Sequence, residues 1–245
     1  MNVSSQVGEA ELPPLSARSV VLSLLLGTHP PALPVKELVR AVEPFGVGGS
    51  TLRAALSRMV ASGDLRRTDA VYGLSDRLLA RQRRQDEAVE ACTRAWDGDW
   101  EMVVITATGR GPAERADLRT RLTTLRLAEL REGVWLRPAN LRRTLPDDLA
   151  QVAQTYTARP DRPARELADQ LWPLDDWATT ALALHVHVAD AHRPADRFTA
   201  FTAVVRHLLA DPVLPPALLP ADWPAAELRA AYADFQRELT GAIGR

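Results

Sequence analysis

A chain of 245 residues, 46% hydrophobic and 25% charged, has room for two or three compact units and the balance of a folded globular protein rather than a chain disordered throughout. No run approaches the roughly 20 apolar residues needed to cross a bilayer, and no basic stretch followed by an apolar signal segment opens the chain, so a membrane partner is excluded and the cytoplasm is the expected location. The single cysteine, Cys92, excludes an internal disulfide and a thiolate metal cluster, and the net charge of −1 conceals a basic front and an acidic tail. Residues 1–95 carry 12 basic against 10 acidic side chains and residues 145–245 carry 9 against 14; within residues 50–84 the count is 8 arginines against 3 aspartates, a local +5 suited to phosphate.

Residues 1–15 are polar, include Pro13-Pro14 and show no apolar period, so they read as a disordered lead. Ser16 caps a first helix with Val20, Val21, Leu24 and Leu25 at helical spacing, stopped by Gly27 and Pro30-Pro31. Pro34 opens a second helix whose stripe is Val35, Leu38, Val39 and Val42. Gly46, Gly48 and Gly49 make a tight turn, Ser50 is the expected cap of a third helix, and Gly63 its stop. Steps of 100° put Leu52, Ala55, Leu56, Met59 and Val60 on one side of that helix and Ser50, Arg53, Ala54, Ser57 and Arg58 on the other. Leu65 to Leu74 then reads as two short strands joined at Asp69-Ala70. Three helices and a hairpin make a winged helix-turn-helix over residues 16–75. Ser75 caps a long helix from Asp76 to about Ala95, within a linker placed at 76–98.

Past Trp100 the pattern changes. Met102 to Ile105 is β-rich, Pro112 opens a helix expected to run through Leu130, and Gly133 to Arg137 is a second strand. A weaker strand at Gln154 to Ala158 and a helix from Pro163 to Leu171 complete a central ferredoxin-like α+β domain, placed at 99–172. Residues 173–245 read as an all-helical C-terminal domain, with stripes in Trp177 to Ala191, Phe198 to Leu209 and Leu228 to Leu239. The proline-rich stretch from Asp211 to Pro224 reads as an ordered strap between the last two. The fold class is therefore α+β and multidomain.

The winged unit has a direct chemical use. A helix fits the major groove, short side chains near its start let the backbone approach base edges, and Arg53 and Arg58 supply the reach. Ser50 and Thr51 with the helix N-terminus suit a phosphate, while Arg66, Arg67 and Tyr72 would place the wing. An enzyme finds less support: no Walker loop, Gly-x-Ser-x-Gly elbow or His-Glu-x-x-His helix occurs, and Gly46 to Gly49 follows a helix instead of the strand a dinucleotide loop needs. Asp147-Asp148 and Asp175-Asp176 diverge by about 100° on a helix and read as N-terminal acids. His185, His187, His192 and His207 invite a metal-responsive alternative, but His187 points about 200° away from His185. Trp135, Trp172, Trp177 and Trp223 read as core before effector pocket. No cofactor is expected.

Ser50 to Gly63, Gly133 to Pro138 and above all Asp-Pro-Val-Leu-Pro-Pro-Ala-Leu-Leu-Pro-Ala-Asp-Trp-Pro (Asp211 to Pro224) resemble the PaaX family of phenylacetic-acid-degradation-type transcriptional repressors along nearly the full chain. Ala225 stands where a glycine commonly follows Trp-Pro in that family, a departure that bears on one local turn. The resemblance implies a homodimeric, non-enzymatic repressor released from its double-stranded DNA operator by a small effector, a CoA thioester or an aromatic acid. Trp135 and Arg137, an aromatic and a cation two apart on one strand, are the candidate effector residues. The family's central unit also resembles a ferredoxin-like nuclease, which gives a metal-dependent nuclease as a second alternative; its first strand should be followed by an acid, whereas Val103 to Arg110 contains none.

Overall fold

A computed structural model describes residues 16–243, so the lead expected over residues 1–15 lies outside the described residues. Over the described residues the fold is mixed α+β with two antiparallel sheets, and the chain divides into two compact units. One comprises the residues up to Gln82, His192–Thr199 and those from Phe235 onward. The other comprises Arg83–Ala191 and Ala200–Asp234.

The first unit contains α1 (Ala17–Leu26), β1 (Ala32–Pro34), α2 (Val35–Val42), α3 (Gly49–Ala61), β2 (Leu65–Thr68) and β3 (Val71–Leu74). The Ser16 side chain caps α1, accepting from the Ser19 amide at 3.1 Å, as its hydroxyl before an apolar run predicts. Val20, Val21, Leu24 and Leu25 are buried with Leu38 and Val42 of α2 and Leu52, Leu56 and Met59 of α3. Leu22 and Leu26 are buried too, so α1 is covered on more than the expected stripe. β2 and β3 form the hairpin around Asp69, at φ 54°, and Gly63, at φ 72°, follows the end of α3. β1 was not foreseen: three residues ending in proline offer no period. It is held by pairing, Ala32 opposite Gly73 and Pro34 opposite Val71, so the sheet runs β1-β3-β2. Two expected caps are corrected. The cap of α3 is Gly48, with no side-chain bond, and Ser50 lies inside the first turn. The Ser75 hydroxyl is buried without a hydrogen-bond partner, and only its carbonyl serves the helix that follows.

Asp64, between α3 and the hairpin, organises the polar side of this unit. Its carboxylate is buried and accepts from Arg18 Nη2 at 2.7 Å, from Ser62 Oγ at 3.1 Å and from Arg77, while its carbonyl accepts the Ser75 amide at 3.0 Å. The Arg18 hydrogen bond prevails over burial and, with Ser62 and the charge of Arg77, holds this carboxyl below the usual carboxylate range.

α4 (Asp76–Val89) ends six residues short of the expected Ala95 because residues 92–94 leave the helix for an extended pairing. The Arg94 amide donates to Asn140 at 2.7 Å and the Arg142 amide to Cys92 at 3.0 Å, around a Thr93–Leu141 bridge. The second unit is built on β4 (Trp100–Ile105), α5 (Pro112–Thr124), β5 (Ala128–Arg131), β6 (Val134–Pro138) and β7 (Ala153–Ala158), in sheet order β5-β6-β4-β7. Renumbered within the domain this order is 2-3-1-4, that of a β-α-β-β-α-β ferredoxin-like sheet whose second crossover is a 3-10 turn at Asp147–Gln151. The helix expected through Leu130 is corrected: α5 stops at Thr124, Arg126 turns left-handed at φ 60°, and Ala128 to Arg131 becomes a hairpin strand folded back at Gly133. Val103, Trp135 and Ala153 face Leu122 of α5, while Trp100 and Leu136 face Leu167 of α6 (Ala164–Leu171) and Leu214 and Leu218 of the strap. The strap is thus a covering layer of the sheet. Three longer helices, α7 (Leu174–Asp190), α8 (Pro194–Leu209) and α9 (Ala225–Ile243), occupy the expected tail, though His192–Thr199 and the end of α9 belong to the first compact unit.

Replacing Asp64 with Asn keeps the shape and removes the charge. It should destabilise the winged unit by about 1–2 kcal/mol, a modest value because both arginine partners are more than half exposed. Hydrogen exchange of the α3 amides in the full chain measures it. A depressed carboxyl stabilises fully above its unfolded value of about 3.9 and loses that contribution as pH falls through the lower folded value, so the difference between the two proteins should vanish over that acid window.

Candidate nucleic-acid interface

The apolar edge of α3 fixes which residues face outward. With Leu52, Ala55, Leu56 and Met59 buried, the helical period turns Ser50, Thr51, Arg53, Ala54, Ser57 and Arg58 to solvent, and all six are exposed. Because Gly48 caps without a side chain, the first-turn amides are offered no side-chain acceptor, and a helix start of this kind favours an anion. Arg53 Nη1 lies 3.6 Å from where a Cβ on Gly49 would stand, which brings its guanidinium back over that first turn. Gly46 holds the preceding turn at φ 71°, a conformation that costs glycine least.

In the hairpin, Arg66 and Arg67 are exposed as expected, and both have local partners. Arg66 pairs with Asp76, and Arg67 donates from Nε to the Asp69 carbonyl at 2.7 Å while its guanidinium lies 5.8 Å from the Tyr72 ring centre. Tyr72 is a correction. Strand alternation turns it inward to the core with Leu65 and Leu74, at 8% exposure, so it supports the wing from beneath and is not a surface contact. Of the nine expected contact residues, eight are exposed. Sequence reasoning missed Asp64, whose place directly after the glycine stop and before an apolar strand residue was the available signal.

The effector candidates separate. Trp135 and Arg137 share a strand face, but Arg137 is wholly enclosed and spends its donors on the protein. Nε gives to Pro138 O at 3.0 Å, Nη1 to Arg126 O at 3.3 Å, and Nη2 to Asn140 Oδ1 at 2.8 Å. Burial, then the charge of Arg143, pushes it down to about 9, still a cation at neutral pH. It is a structural clamp, and the expected anion role is withdrawn because its nitrogens are enclosed and bonded to the protein. Trp135 is buried against Val103 and Leu122, and it borders a cavity of about 460 Å³ with Thr108, Arg110 and Arg115 on its polar side.

The histidines are not brought together. His185, His187 and His192 are exposed, whereas His207 stacks on Trp177 at 4.3 Å with Nε2 2.9 Å from the Trp177 carbonyl; Trp223 stacks on the same indole at 4.4 Å. Among the described residues no group of three or more His, Cys, Asp or Glu is placed to hold a metal ion.

Three family models match the chain: one described as PaaX-like protein over residues 16–78, one as PaaX protein central Cas2-like domain over 93–159, and one as PaaX-like protein C-terminal domain over 148–243. A solved structure titled uncharacterized protein Rv0674 from Mycobacterium tuberculosis is 49% identical, covers 94% of this chain and 97% of its own, and superposes with a TM-score of 0.83. No curated protein matches the chain significantly.

Tyr72→Ala should lower stability by about 3 kcal/mol through the cavity it leaves, whereas Arg66→Ala, which opens only an exposed ion pair, should stay within about 0.5 kcal/mol of the parent. Urea unfolding of the two variants separates core from surface.

Proposed function

The chain belongs to the PaaX family of transcriptional regulators, and from that membership we propose that it is a homodimeric repressor that binds a near-palindromic operator through α3 and its wing and is released by a small effector, a CoA thioester or an aromatic acid. The observation that carries the reading is the exposed row from Ser50 to Arg58 on a helix whose other side is core. In this reading the first turn of α3 sets register against a phosphate through its amides, with Ser50 and Thr51 beside them. Arg53 and Arg58 reach base edges, and Ala54 and Ser57 keep the helix surface low enough for close approach. Arg66 and Arg67 neutralise backbone phosphates from the wing, exchanging their weak local partners for the duplex. The activity is binding, not catalysis.

Two copies associate through the central and C-terminal parts and set their α3 helices into grooves about 10 base pairs apart or a multiple of that. Leu182 and Val186, four residues apart on α7 and 57% and 60% exposed, support an apolar contact there. The effector acts by preferring a dimer geometry in which that spacing is wrong. No helix among the described residues is long and apolar enough to cross a membrane. The Cas2-like description of the central domain is the one feature that favours a nuclease. Thr106 to Arg110 after β4 supplies no carboxylate for a metal, so the regulator reading stands ahead of it.

With a duplex selected from random sequence by the full chain, Arg53→Ala or Arg58→Ala should cost about 1–3 kcal/mol in affinity and relax preference at one base position. Parent-like binding by both variants removes the reading. Arg66→Ala or Arg67→Ala should weaken all duplexes alike and flatten the logarithmic salt slope by about 0.9 per lost contact. Leu182→Glu should shift the dimer to monomer in sedimentation velocity.

A further inference from the structure

The two sheets have edge strands at β1, β2, β5 and β7, and the first three are blunted. β1 is three residues long and ends in Pro34, β2 carries Arg66 and Arg67, and β5 carries Glu129 and Arg131 with a register shift between them. Such devices keep an edge from pairing with another chain. β7 has none of them. It is six residues long, Ala-Gln-Thr-Tyr-Thr-Ala, without charge, proline or register shift, and Gln154 to Thr157 are exposed.

The ladder fixes which of its backbone groups are unspent. The Val152 carbonyl accepts the Thr106 amide at 3.0 Å, so alternation turns the backbone groups of Gln154, Tyr156 and Ala158 toward β4 and those of Ala153, Thr155 and Thr157 outward. Ala153 is covered, buried in the cluster that contains Leu149. Thr155 and Thr157 are open, and among the described residues neither backbone has a hydrogen-bond partner on the outward side. Between them Tyr156 stands 46% exposed, its hydroxyl donating to Gln154 Oε1.

We propose that β7 receives the β7 of a second copy of this chain, antiparallel about a two-fold axis at Tyr156. In that register Thr155 lies opposite the partner's Thr157, and each such pair exchanges both of its backbone hydrogen bonds. Tyr156 lies opposite the partner's Tyr156 at a non-hydrogen-bonded position, where side chains come closest and the two exposed rings cover each other. An axis at Thr155 would require the covered Ala153, and one at Thr157 would carry the pairing past the end of β7 to Arg159. Neutrality is what self-pairing demands, because in a two-fold pair a charge at Tyr156 would meet its own copy and like charges at Thr155 and Thr157 would meet each other. A partner strand of different sequence would place no such restriction on β7. The inference rests on the dimer of the regulator reading and names the strand through which its central parts meet.

Cys92 is the sole cysteine, so in a Cys92→Ser background an introduced thiol reports on its own position. Full-length Tyr156→Cys should cross-link to its copy under diamide, because Cα atoms of a non-hydrogen-bonded pair stand about 4.5 Å apart, within the reach of a disulfide. Gln154→Cys, on the same strand face, would stand about 13 Å from its copy and should not. Thr155→Pro removes an outward amide at an edge position that tolerates proline, and it should raise the dimer dissociation constant roughly ten- to hundredfold in sedimentation velocity. A monomeric parent, no cross-link in Tyr156→Cys, equal cross-linking of Gln154→Cys, or parent-like dimerisation of Thr155→Pro overturns the proposal. A dimer that Leu182→Glu dissolves and Thr155→Pro leaves intact removes the strand contact and keeps the regulator reading. Failure of operator binding with the Tyr156→Cys cross-link present removes that reading and keeps the strand contact.

Discussion

The winged unit depends on the complete burial of one edge of a short helix. Leu52 and Leu56 are wholly enclosed and Met59 almost so, among α1, α2 and the hairpin residues Leu65, Tyr72 and Leu74. Truncating any one of these would cost about 2–5 kcal/mol, so α3 cannot roll about its axis to present another face. The outward row is therefore as rigid as the core beneath it. Phe198, Phe235 and Leu239 also pack on this core and leave the row open to solvent. That combination, a fixed buried edge and an uncovered polar one, is what a groove-reading helix requires.

Polar nodes perform the corresponding task where the chain turns. Asp64 gathers Arg18, Ser62 and Arg77 at the junction of α3 and the hairpin, so the wing's position is tied to both the first and the fourth helix. In the second unit Arg137 and Asn140 converge on the Val213 carbonyl, at 3.4 and 3.0 Å, and Asp211 takes Arg229 and the Val213 amide. The strap's prolines have no amide to donate, and several of its carbonyls take side-chain donors instead: Asp211 from Arg126, Val213 from Arg137 and Asn140, and Leu219 from Arg165.

Much of the exposed face of the winged unit was legible from residue spacing. The period of α3, the glycine turn before it, the hairpin at Asp69-Ala70 and the exposure of eight of the nine residues expected there follow from local rules that operate within a few residues. Tyr72 failed because β3 alternates burial only once it is paired on both sides, and β1, its second partner, has no sequence period to announce it. The helix expected through Leu130 failed for a related reason. Ala-Glu-Leu-Arg suits a helix by propensity, and only its pairing with Val134 to Leu136 across Gly133 makes it a strand.

The sequence by itself determined the three-part order of the chain, the amphipathic sides of its helices and the family to which it belongs, because hydrophobic period and turn chemistry act over short separations. The tertiary structure decided which charges are enclosed. Arg137 and Arg66 are both arginines on short strands, yet one is sealed beneath a strap 76 residues further along the chain and the other stands in solvent. Burial depends on what distant segments are brought to cover a side chain, and no local pattern encodes that partner.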